Sequence, residues 1–284
     1  MERDPDRAVG RRLRSREPVF GTVVSVPSVA LAELVAEAVD FVWIDLEHGA
    51  LGVGDVQPLA VACRAADAGA LVRLPSADAP GLGAILDAGA DGVVAPRVEN
   101  ADCAARLVER LRHPPRGSRG VAARRGSGYG RHGSRGEPAA RDGRLGAPAA
   151  CASGADPLCL AQIESPLGVE AASEIAAVDG IDALVIGCAD LSHSLGEGGR
   201  LDAAVVADSV ERVQFAAAAA GIPSGIAGPD DPALLAELAG GRSTVFVLSA
   251  DVRIYARAVD SSIAALRRAQ AGRAPEPLDA HVGS

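Results

Sequence analysis

The sequence predicts a single (β/α)8 barrel, and three observations support this fold class. Eight short segments rich in Val, Ile and Leu alternate with longer Ala-rich stretches of helical character. The short segments are continuous apolar runs, as expected of parallel strands that are covered on both faces. The chain has 284 residues, a length that suits eight strand–helix units of a closed barrel better than an open, doubly wound sheet.

The elements follow one another in a regular order. Ser28 is a suitable N-cap for the first helix, and Pro166 suits the first turn of the helix after the fifth strand. In chain order, the predicted strands are 19–26, 41–45, 70–74, 91–96, 158–164, 181–187, 223–228 and 243–249. The predicted helices run over 28–38 and 55–68, end near 88 and 113, begin near 166, end near 220 and 238, and close the fold over 251–270.

Three segments do not share this alternation. Residues 1–17 are polar and predict a disordered N-terminal arm. Residues 114–157 are rich in Gly, Arg, Pro, Ala and Ser, which predicts a long loop with an irregular insertion around 132–157. A linker between two domains is the alternative for this segment. We expect one barrel domain over 18–270 and a flexible tail over 271–284.

Composition and charge exclude several classes of function. The net charge is −9, so we expect no nucleic-acid partner. All 28 basic residues are arginine, which excludes a Schiff-base aldolase and a P-loop, because both need a lysine. No apolar run predicts a membrane span, and we expect no signal peptide in the polar N-terminal segment. The five cysteines form no C-x-x-C pair, so we expect a reduced, cytoplasmic protein.

The second predicted strand ends in a cluster of polar residues. Asp45, Glu47 and His48 lie within four positions and lead into Gly49. Catalytic groups of a (β/α)8 barrel lie at the C-terminal ends of its strands. His48 is therefore a candidate for proton transfer near neutral pH. The alternative is a turn in which Asp45 caps a helix and His48 is solvated.

The third strand ends with Arg73, a charged residue that is costly at the end of an apolar strand unless it is paired. Its planar guanidinium suits a carboxylate, either of the protein or of a substrate. A structural ion pair with a nearby acid is the alternative. Asp87 lies near the end of the third helix, where a surface or capping role is the default; it becomes functional only if it orients His48.

Two further carboxylates follow neighbouring strands. Glu164 ends the fifth strand, two residues after Gln162, and Asp190 follows the sixth strand. Two facing carboxylates repel each other unless one is protonated or a cation lies between them. An oxygen-rich pair of this kind suits Mg²⁺ or Mn²⁺, with the other positions left to water and substrate. The alternative is that each acid caps the helix that follows it.

These residues lie in stretches that together resemble the HpcH/HpaI aldolase family, the metal-dependent 2-oxo-acid aldolases related to the citrate lyase β-subunit. The resemblance runs from about residue 18 to 268 and is weakest over 132–157. It implies a TIM barrel of the phosphoenolpyruvate/pyruvate-binding type. The motifs that carry it are Asp45-Leu-Glu-His-Gly, Val72-Arg-Leu-Pro, Ala84-Ile-Leu-Asp-Ala-Gly-Ala-Asp-Gly-Val-Val-Ala-Pro, Gln162-Ile-Glu-Ser-Pro and Gly187-Cys-Ala-Asp-Leu-Ser.

The resemblance implies a role for each matching residue. Glu164 and Asp190 are implied to be the protein ligands of a divalent metal. The resemblance further implies that this metal is Mg²⁺, Mn²⁺ or Co²⁺. Arg73 is implied to hold the 2-oxo acid and to stabilise its enolate. His48 resembles the catalytic histidine, and Asp87 resembles its partner in a dyad. No nucleotide cofactor is implied.

The resemblance also implies a binding site for the substrate. Gln162 is similar to a glutamine beside the metal and the substrate, and the backbone of Gly187, Cys188 and Ala189 is expected to meet the pyruvate carboxylate. The chain has Cys188 where family members often have proline, and the stretch after Gly120 is unusually rich in arginine. These departures affect the identity of the substrate more than the type of reaction.

The expected function is that of a class II aldolase of the 2-dehydro-3-deoxyglucarate or 4-hydroxy-2-oxoheptanedioate type. It would cleave or form a carbon–carbon bond between pyruvate, or a similar 2-oxo acid, and an aldehyde. The alternatives are a citrate-lyase-like or malyl-thioester lyase and a non-catalytic barrel that binds a metabolite. The resemblance further implies a homo-oligomer, with a hexamer as one form, in which the closing helix is exchanged between subunits. No membrane partner is expected.

Overall fold

The computed structural model describes residues 9–122, 125, 129, 156–228 and 230–271. Most of the expected insertion around 132–157 and almost all of the expected tail over 271–284 lie outside these residues. None of the described helices is both long and apolar enough to cross a membrane.

Eight parallel strands pair in sequence order, and the last pairs with the first to close a barrel. The predicted (β/α)8 fold is therefore confirmed, and each predicted strand matches an observed strand within a few residues at either end. The strands are β1 (Val19–Val24), β2 (Phe41–Asp45), β3 (Gly69–Arg73), β4 (Gly92–Ala95), β5 (Leu158–Ile163), β6 (Ala183–Gly187), β7 (Ser224–Ala227) and β8 (Val245–Ala250).

Helices connect the strands and surround the barrel. The side chain of Ser28 caps the second helix by accepting a hydrogen bond from the backbone of Leu31, and Pro166 opens the sixth, as the sequence predicts. Two helices, rather than one, follow each of β5 and β6. The helices are α1 (Val9–Arg14), α2 (Val29–Ala36), α3 (Val53–Ala65), α4 (Leu82–Asp87), α5 (Ala101–Leu111), α6 (Pro166–Glu170), α7 (Ala172–Ala176), α8 (Cys188–Ser194), α9 (Ala204–Ala220), α10 (Pro232–Ala239) and α11 (Asp251–Ala271).

Apolar side chains fill two separate layers. Alternate strand residues, such as Trp43, Leu71 and Leu160, point inward and pack together in the barrel interior. Their neighbours, such as Ile44 and Val72, point outward and pack beneath the helices. Because the interior is packed with apolar side chains, polar groups that face the axis are confined to the ends of the strands.

The first helix, α1, corrects the expectation that residues 1–17 form a disordered arm. Val9 and Leu13 of α1 are buried and pack with the residues of the barrel interior. The contact needs Gly69 at the start of β3, because a Cβ atom there would lie 2.5 Å from the Val9 side chain. Val9 and Leu13 are four residues apart and so lie on one face of the helix. Two apolar residues within a six-residue helix are too few to predict it from the sequence; residues 1–8 lie outside the described part of the chain.

The last helix, α11, is present as predicted but does not cover the barrel. Asp251 is its one residue buried in the structure, and apolar side chains such as Tyr255 and Leu266 are exposed. Beside it, Phe20 of β1 is half exposed and stacks on Phe246 of β8, with ring centroids 5.1 Å apart. Among the described residues, Phe20 on the outer wall and one side of α11 therefore keep apolar surface exposed.

Candidate active site

Polar residues occupy the inward-facing ends of several neighbouring strands. Asp45 ends β2, Arg73 ends β3, Gln162 lies near the end of β5, and Glu164 directly follows that strand. Gly187 ends β6 beside them, and a Cβ atom at this glycine would lie 2.6 Å from the Gln162 amide nitrogen and 2.7 Å from a Glu164 oxygen. The predicted convergence at the C-terminal end of the barrel is therefore found for these residues.

Arg73 is paired with acidic residues of β2 and the loop that follows it. Its Nε and Nη2 donate to the two carboxylate oxygens of Asp45 at 2.9 and 2.6 Å, and the two residues are register partners on adjacent strands. Its Nη1 lies 3.2 Å from Oε2 of Glu47. Below this network, the Arg73 guanidinium lies 5.6 Å from the ring centroid of Trp43. The ion pair that we considered as an alternative for Arg73 is thus present.

Burial and pairing act in opposite directions on Asp45. Burial alone would raise the pKa of this carboxyl, but the hydrogen bonds and positive charge of Arg73 lower it below its usual value. Asp45 also accepts hydrogen bonds from the backbone N–H groups of Glu47 and His48 at 2.9 and 3.3 Å. One ionised side chain therefore fixes both Arg73 and the loop that carries the candidate histidine.

His48 lies at the open side of the site. Its side chain is 61% exposed, and its Nε2 is 3.7 Å from Oε2 of Glu47. Burial raises the pKa of Glu47, and the charges of Arg73 and His48 partly oppose that rise. Glu47 thus lies between His48 and Arg73. It is part of the site, unlike a turn residue that contacts only solvent.

Glu164 is buried, with an exposed fraction of 2%. One of its oxygens accepts from the backbone N–H of Arg97 at 2.9 Å, and the other accepts from the side-chain amide of Gln162. Arg97 has a positive φ of 50°, an uncommon conformation for a non-glycine residue, which here accompanies the hydrogen bond to the carboxylate. Burial raises the pKa of Glu164 to about 7, and the nearby charges of Glu47 and Asp190 raise it further.

Asp190 lies on the same end of the barrel as Glu164. It is the third residue of α8, which begins directly after β6, the neighbour of β5 in the barrel. Before it, Cys188 is buried, with its Sγ 3.8 Å from the carbonyl oxygen of Ile186, and burial raises the pKa of this thiol to about 12. Cys188 therefore stays a neutral thiol at physiological pH and supplies packing rather than a nucleophile.

The expected contact between Asp87 and His48 is not formed within the chain. Asp87 is the last residue of α4, which returns to the N-terminal end of the barrel before β4 begins. There it accepts a hydrogen bond from Nη2 of buried Arg119 at 2.7 Å. The sequence motif was recognised, but the strand–helix alternation places the C-terminal end of a helix opposite the mouth of the barrel.

The sequence places Asp45 and Glu47 in the cluster with His48, but it does not predict that they and Arg97 hold the site residues in place. Asp45 and Glu47 belong to the motif that contains His48, and a buried arginine on the next strand is a signal that an acid must face it. No sequence signal points to the backbone N–H of Arg97. In the part of the chain that the structure describes, no group of three or more His, Cys, Asp or Glu side chains could hold a metal ion.

The fold and the site together define a class of protein. The C-terminal mouth of this closed (β/α)8 barrel contains several acids and a buried arginine that is held by ion pairs. This is the architecture of a barrel enzyme. Its buried acids favour a site that binds a cation, and its arginine favours an anionic substrate.

Comparison with known proteins places the chain more narrowly. The model of the HpcH/HpaI aldolase/citrate lyase family matches residues 25–230. A hydroxypyruvate/pyruvate aldolase of Paraburkholderia phytofirmans is 39% identical over 223 residues, which cover 76% of this chain and 80% of that protein. A 2-keto-3-deoxy-L-rhamnonate aldolase of Klebsiella pneumoniae is 32% identical over 260 residues, which cover 89% of this chain and 91% of that protein.

Solved structures agree with this placement. A crystal structure of an HpcH/HpaI aldolase/citrate lyase family protein from Burkholderia cenocepacia superimposes with a TM-score of 0.80 at 31% identity, covering 92% of this chain and 99% of that one. The chain belongs to the HpcH/HpaI aldolase/citrate lyase family. It is accordingly an enzyme of the carbon–carbon lyase class, a class II aldolase.

Proposed function

We propose that this enzyme cleaves and forms the bond between pyruvate, or a similar 2-oxo acid, and an aldehyde through an enolate. The observation that carries this proposal is the buried Glu164 carboxyl, which shares the barrel mouth with Asp190, Glu47 and the fixed cation Arg73. The names of the similar aldolases support pyruvate or hydroxypyruvate as the 2-oxo acid. The chain contains no lysine, so the electrons of the cleaved bond need an acceptor other than a Schiff base.

The acidic residues of the site fit a divalent cation. Glu164 and Asp190 would hold it as two oxygen ligands, with water and substrate in the remaining positions. The raised pKa of Glu164, which burial and two nearby carboxylates cause, indicates an excess of negative charge that a cation would relieve. Bound there, Mg²⁺, Mn²⁺ or Co²⁺ would act as a Lewis acid that stabilises the negative charge of the enolate.

Arg73 supplies positive charge that does not depend on pH in the physiological range. The bidentate pair with Asp45 fixes its orientation before substrate binds. Its Nη1 lies 3.2 Å from Glu47. We propose that the positive charge at this nitrogen stabilises the oxygen on which the enolate charge develops. Gln162 lies beside Glu164, and its side-chain amide oxygen is buried without a hydrogen-bond partner among the described residues. A polar group of the substrate could satisfy this oxygen, with the backbone of Gly187, Cys188 and Ala189 next to it.

His48 is proposed to move the proton of the aldol hydroxyl. In the cleavage direction it accepts that proton from the substrate, and in the synthetic direction it returns a proton to the aldehyde oxygen. Its side chain is exposed, which leaves it open to an incoming aldehyde. Within one chain Glu47 is its acidic neighbour. Asp87 can serve as its partner only if another subunit brings that residue to the mouth.

We propose a homo-oligomer, of which a hexamer is one form, in which α11 packs on another subunit. The helix has 21 residues and exposes apolar side chains that include Tyr255, Ile263 and Leu266. An exposed apolar side of this length is typical of an interface. The half-exposed Phe20 at the outer wall supplies apolar surface on which such a helix can pack.

The cysteines support a reducing location, which we propose to be the cytoplasm. Cys63, Cys103, Cys159 and Cys188 are buried and form no disulfide. Burial raises the pKa of the Cys159 thiol above its usual range, so this group is a poor nucleophile for oxidation.

Exchange of the methyl protons of pyruvate in heavy water tests the proposed function. An enzyme that forms the enolate is expected to exchange these protons when Mg²⁺ or Mn²⁺ is present, and EDTA is expected to stop the exchange. Glu164→Gln is expected to abolish it. The matched control Glu170→Gln changes an exposed glutamate of α6 and is expected to exchange at the wild-type rate. Absence of exchange with every metal would overturn the enolate mechanism, and exchange that persists in EDTA would remove the metal from it.

A further inference from the structure

A buried carboxylate joins the start of α11 to the end of β1. Asp251, the first residue of α11, accepts hydrogen bonds from the backbone N–H of Ser25 at 3.0 Å and from the Ser25 hydroxyl at 2.6 Å. It also accepts from the backbone N–H of Val252 at 2.8 Å. Asp251 is 7% exposed, and among the residues that the structure describes no ion pair to it is found. Its charge is thus balanced by hydrogen bonds and by the N-terminus of a helix.

Ser25 in turn contacts the loop that carries His48. Its carbonyl oxygen accepts a hydrogen bond from the backbone N–H of Ala50 at 3.1 Å. Gly49 packs so closely that a Cβ atom there would lie 2.8 Å from the Ser25 oxygen and 2.8 Å from the Asp45 carbonyl oxygen. A side chain at Gly49 would force these strand ends apart, so the loop and Ser25 fit together only in this arrangement.

The loop around His48 is therefore fixed at two points. At its beginning, Asp45 accepts from the backbone N–H groups of Glu47 and His48. At its end, Ser25 accepts from Ala50, and Ser25 is itself held by Asp251. Asp251 is thus linked through Ser25 to Gly49 and Ala50, which directly follow the exposed His48. It belongs to the helix whose apolar side is exposed in the described part of the chain.

We infer that Asp251 is a positioning residue for catalysis: through Ser25 it fixes the loop that presents His48, and it thereby makes the position of α11 part of the active-site geometry. This inference rests on the proposed aldolase function and on His48 as its proton carrier. Capping of α11 alone would not require the two hydrogen bonds to Ser25, since the bond to Val252 already satisfies an N–H of the first turn. A mispositioned histidine slows proton transfer more than it weakens binding of the 2-oxo acid.

The test compares Asp251→Ala with Asp251→Asn in the full-length, metal-loaded enzyme. Asp251→Ala is expected to lower kcat for aldol cleavage about 10- to 100-fold, with KM for the substrate changed less than about threefold. Asp251→Asn keeps one oxygen that can accept from Ser25. On a logarithmic scale, it is expected to recover at least half of the kcat that Asp251→Ala loses. The matched control Asp260→Ala, on an exposed position of the same helix, is expected to leave both parameters unchanged.

A spectroscopic measurement makes the test independent of activity. The side-chain NMR resonances of His48, assigned with His48→Asn, are expected to shift and broaden in Asp251→Ala and in Ser25→Ala, but not in Asp260→Ala. Ser25→Ala removes only the 2.6 Å hydroxyl bond and leaves the cap of α11 intact, so it keeps the test valid if Asp251→Ala does not fold. A lower kcat with unchanged His48 resonances, or an unchanged kcat in both variants, would overturn the inference. A wild-type enzyme without proton exchange would instead overturn the proposed function, whatever the NMR result.

Discussion

Arg73 illustrates how a single buried charge organises the site. Its guanidinium is bonded through two nitrogens to Asp45 and lies near Glu47 with the third. Arginine can make this planar, two-point contact, whereas a lysine ammonium offers one compact charge. Since Asp45 also holds the backbone of the His48 loop, loss of the guanidinium disturbs the loop as well as the charge.

We therefore expect Arg73→Lys to lower kcat/KM about 10²- to 10³-fold, the effect of losing one oriented charge at a developing oxyanion. Steady-state kinetics of aldol cleavage measures it. The control Arg106→Lys alters an exposed arginine that lies 3.8 Å from Asp78 and is expected to change kcat/KM less than about twofold. Near wild-type activity of Arg73→Lys would show that the charge alone, without its geometry, is sufficient.

The carboxyl of Glu164 predicts an unusual dependence of stability on pH. Burial and the acids near it raise its pKa from 4.5 to about 7 in the folded protein. Between these values the folded state retains a proton that the unfolded state has lost, so the free energy of unfolding falls as the pH rises. In EDTA, Glu164→Gln is expected to remove this penalty and to gain up to about 3 kcal/mol over the wild type above about pH 8, and nothing below about pH 4.5.

Urea unfolding of the two proteins at both ends of that pH range measures the difference. A divalent cation is expected to reverse the order at high pH, because it stabilises the wild type and not the variant. Glu170→Gln serves as the control, since this glutamate is exposed. An advantage of Glu164→Gln that is equal at low and high pH would contradict the raised pKa.

The sequence predicts most of these residues but not their partners. The positions of Arg73, Gln162 and Glu164 follow from the ends of apolar strands, a pattern that is visible in the sequence. The pairing of Arg73 with Asp45 depends on the register between β2 and β3, which composition does not specify. The motif that contains Asp87 carries no information on which subunit supplies a partner for His48; within the chain, Asp87 pairs with Arg119.

At the scale of secondary structure, α1 is part of the barrel core. Leu13 is fully buried and Val9 nearly so, although the surrounding sequence is dominated by arginine. Leu13→Ala is expected to lower the free energy of unfolding by about 2–5 kcal/mol, as for other buried leucines. Chemical denaturation measures it, with Leu167→Ala at an exposed site of α6 as the matched control. A change below about 0.5 kcal/mol, typical of surface sites, would mean that α1 does not pack on the barrel in solution.

The exposed apolar side of α11 predicts a defined effect on assembly. Replacing Ile263 and Leu266 with Asp is expected to reduce the oligomer to smaller species, because the apolar contacts of the helix are lost. Light scattering measures the mass in solution, and Ser261→Asp, on the opposite side of the same helix, adds a charge as a control. A wild-type protein that is monomeric, or a double variant of unchanged mass, would exclude α11 from the interface.

The two terminal helices differ in how far their role was visible in the sequence. The long, amphipathic stretch of α11 was readily predicted, but its failure to pack on its own barrel depends on tertiary contacts that a local pattern does not encode. The six residues of α1 are too few to give a periodic signal, so that only their burial reveals their role.

For the whole molecule, repetition made the fold predictable. Eight strand–helix units recur with apolar strands that, apart from the outer face near Phe20, are covered on both sides, and closure of the barrel pairs the strands at both edges of the sheet. The same closure brings strand ends that are distant in sequence, such as those that carry Asp45 and Glu164, to one mouth. The chemistry of the site is therefore a property of the complete barrel and not of any single unit.

The central claim is that Glu164 and Asp190 hold one cation on which a 2-oxo acid binds beside Arg73. Paramagnetic broadening of pyruvate, labelled with ¹³C at the carboxylate and keto carbons, measures this directly in the presence of Mn²⁺. We predict strong broadening of both carbon resonances with the wild-type protein, and none beyond that of free Mn²⁺ with Glu164→Gln or Asp190→Asn. Broadening that is equal in the wild type and in both variants would contradict the claim.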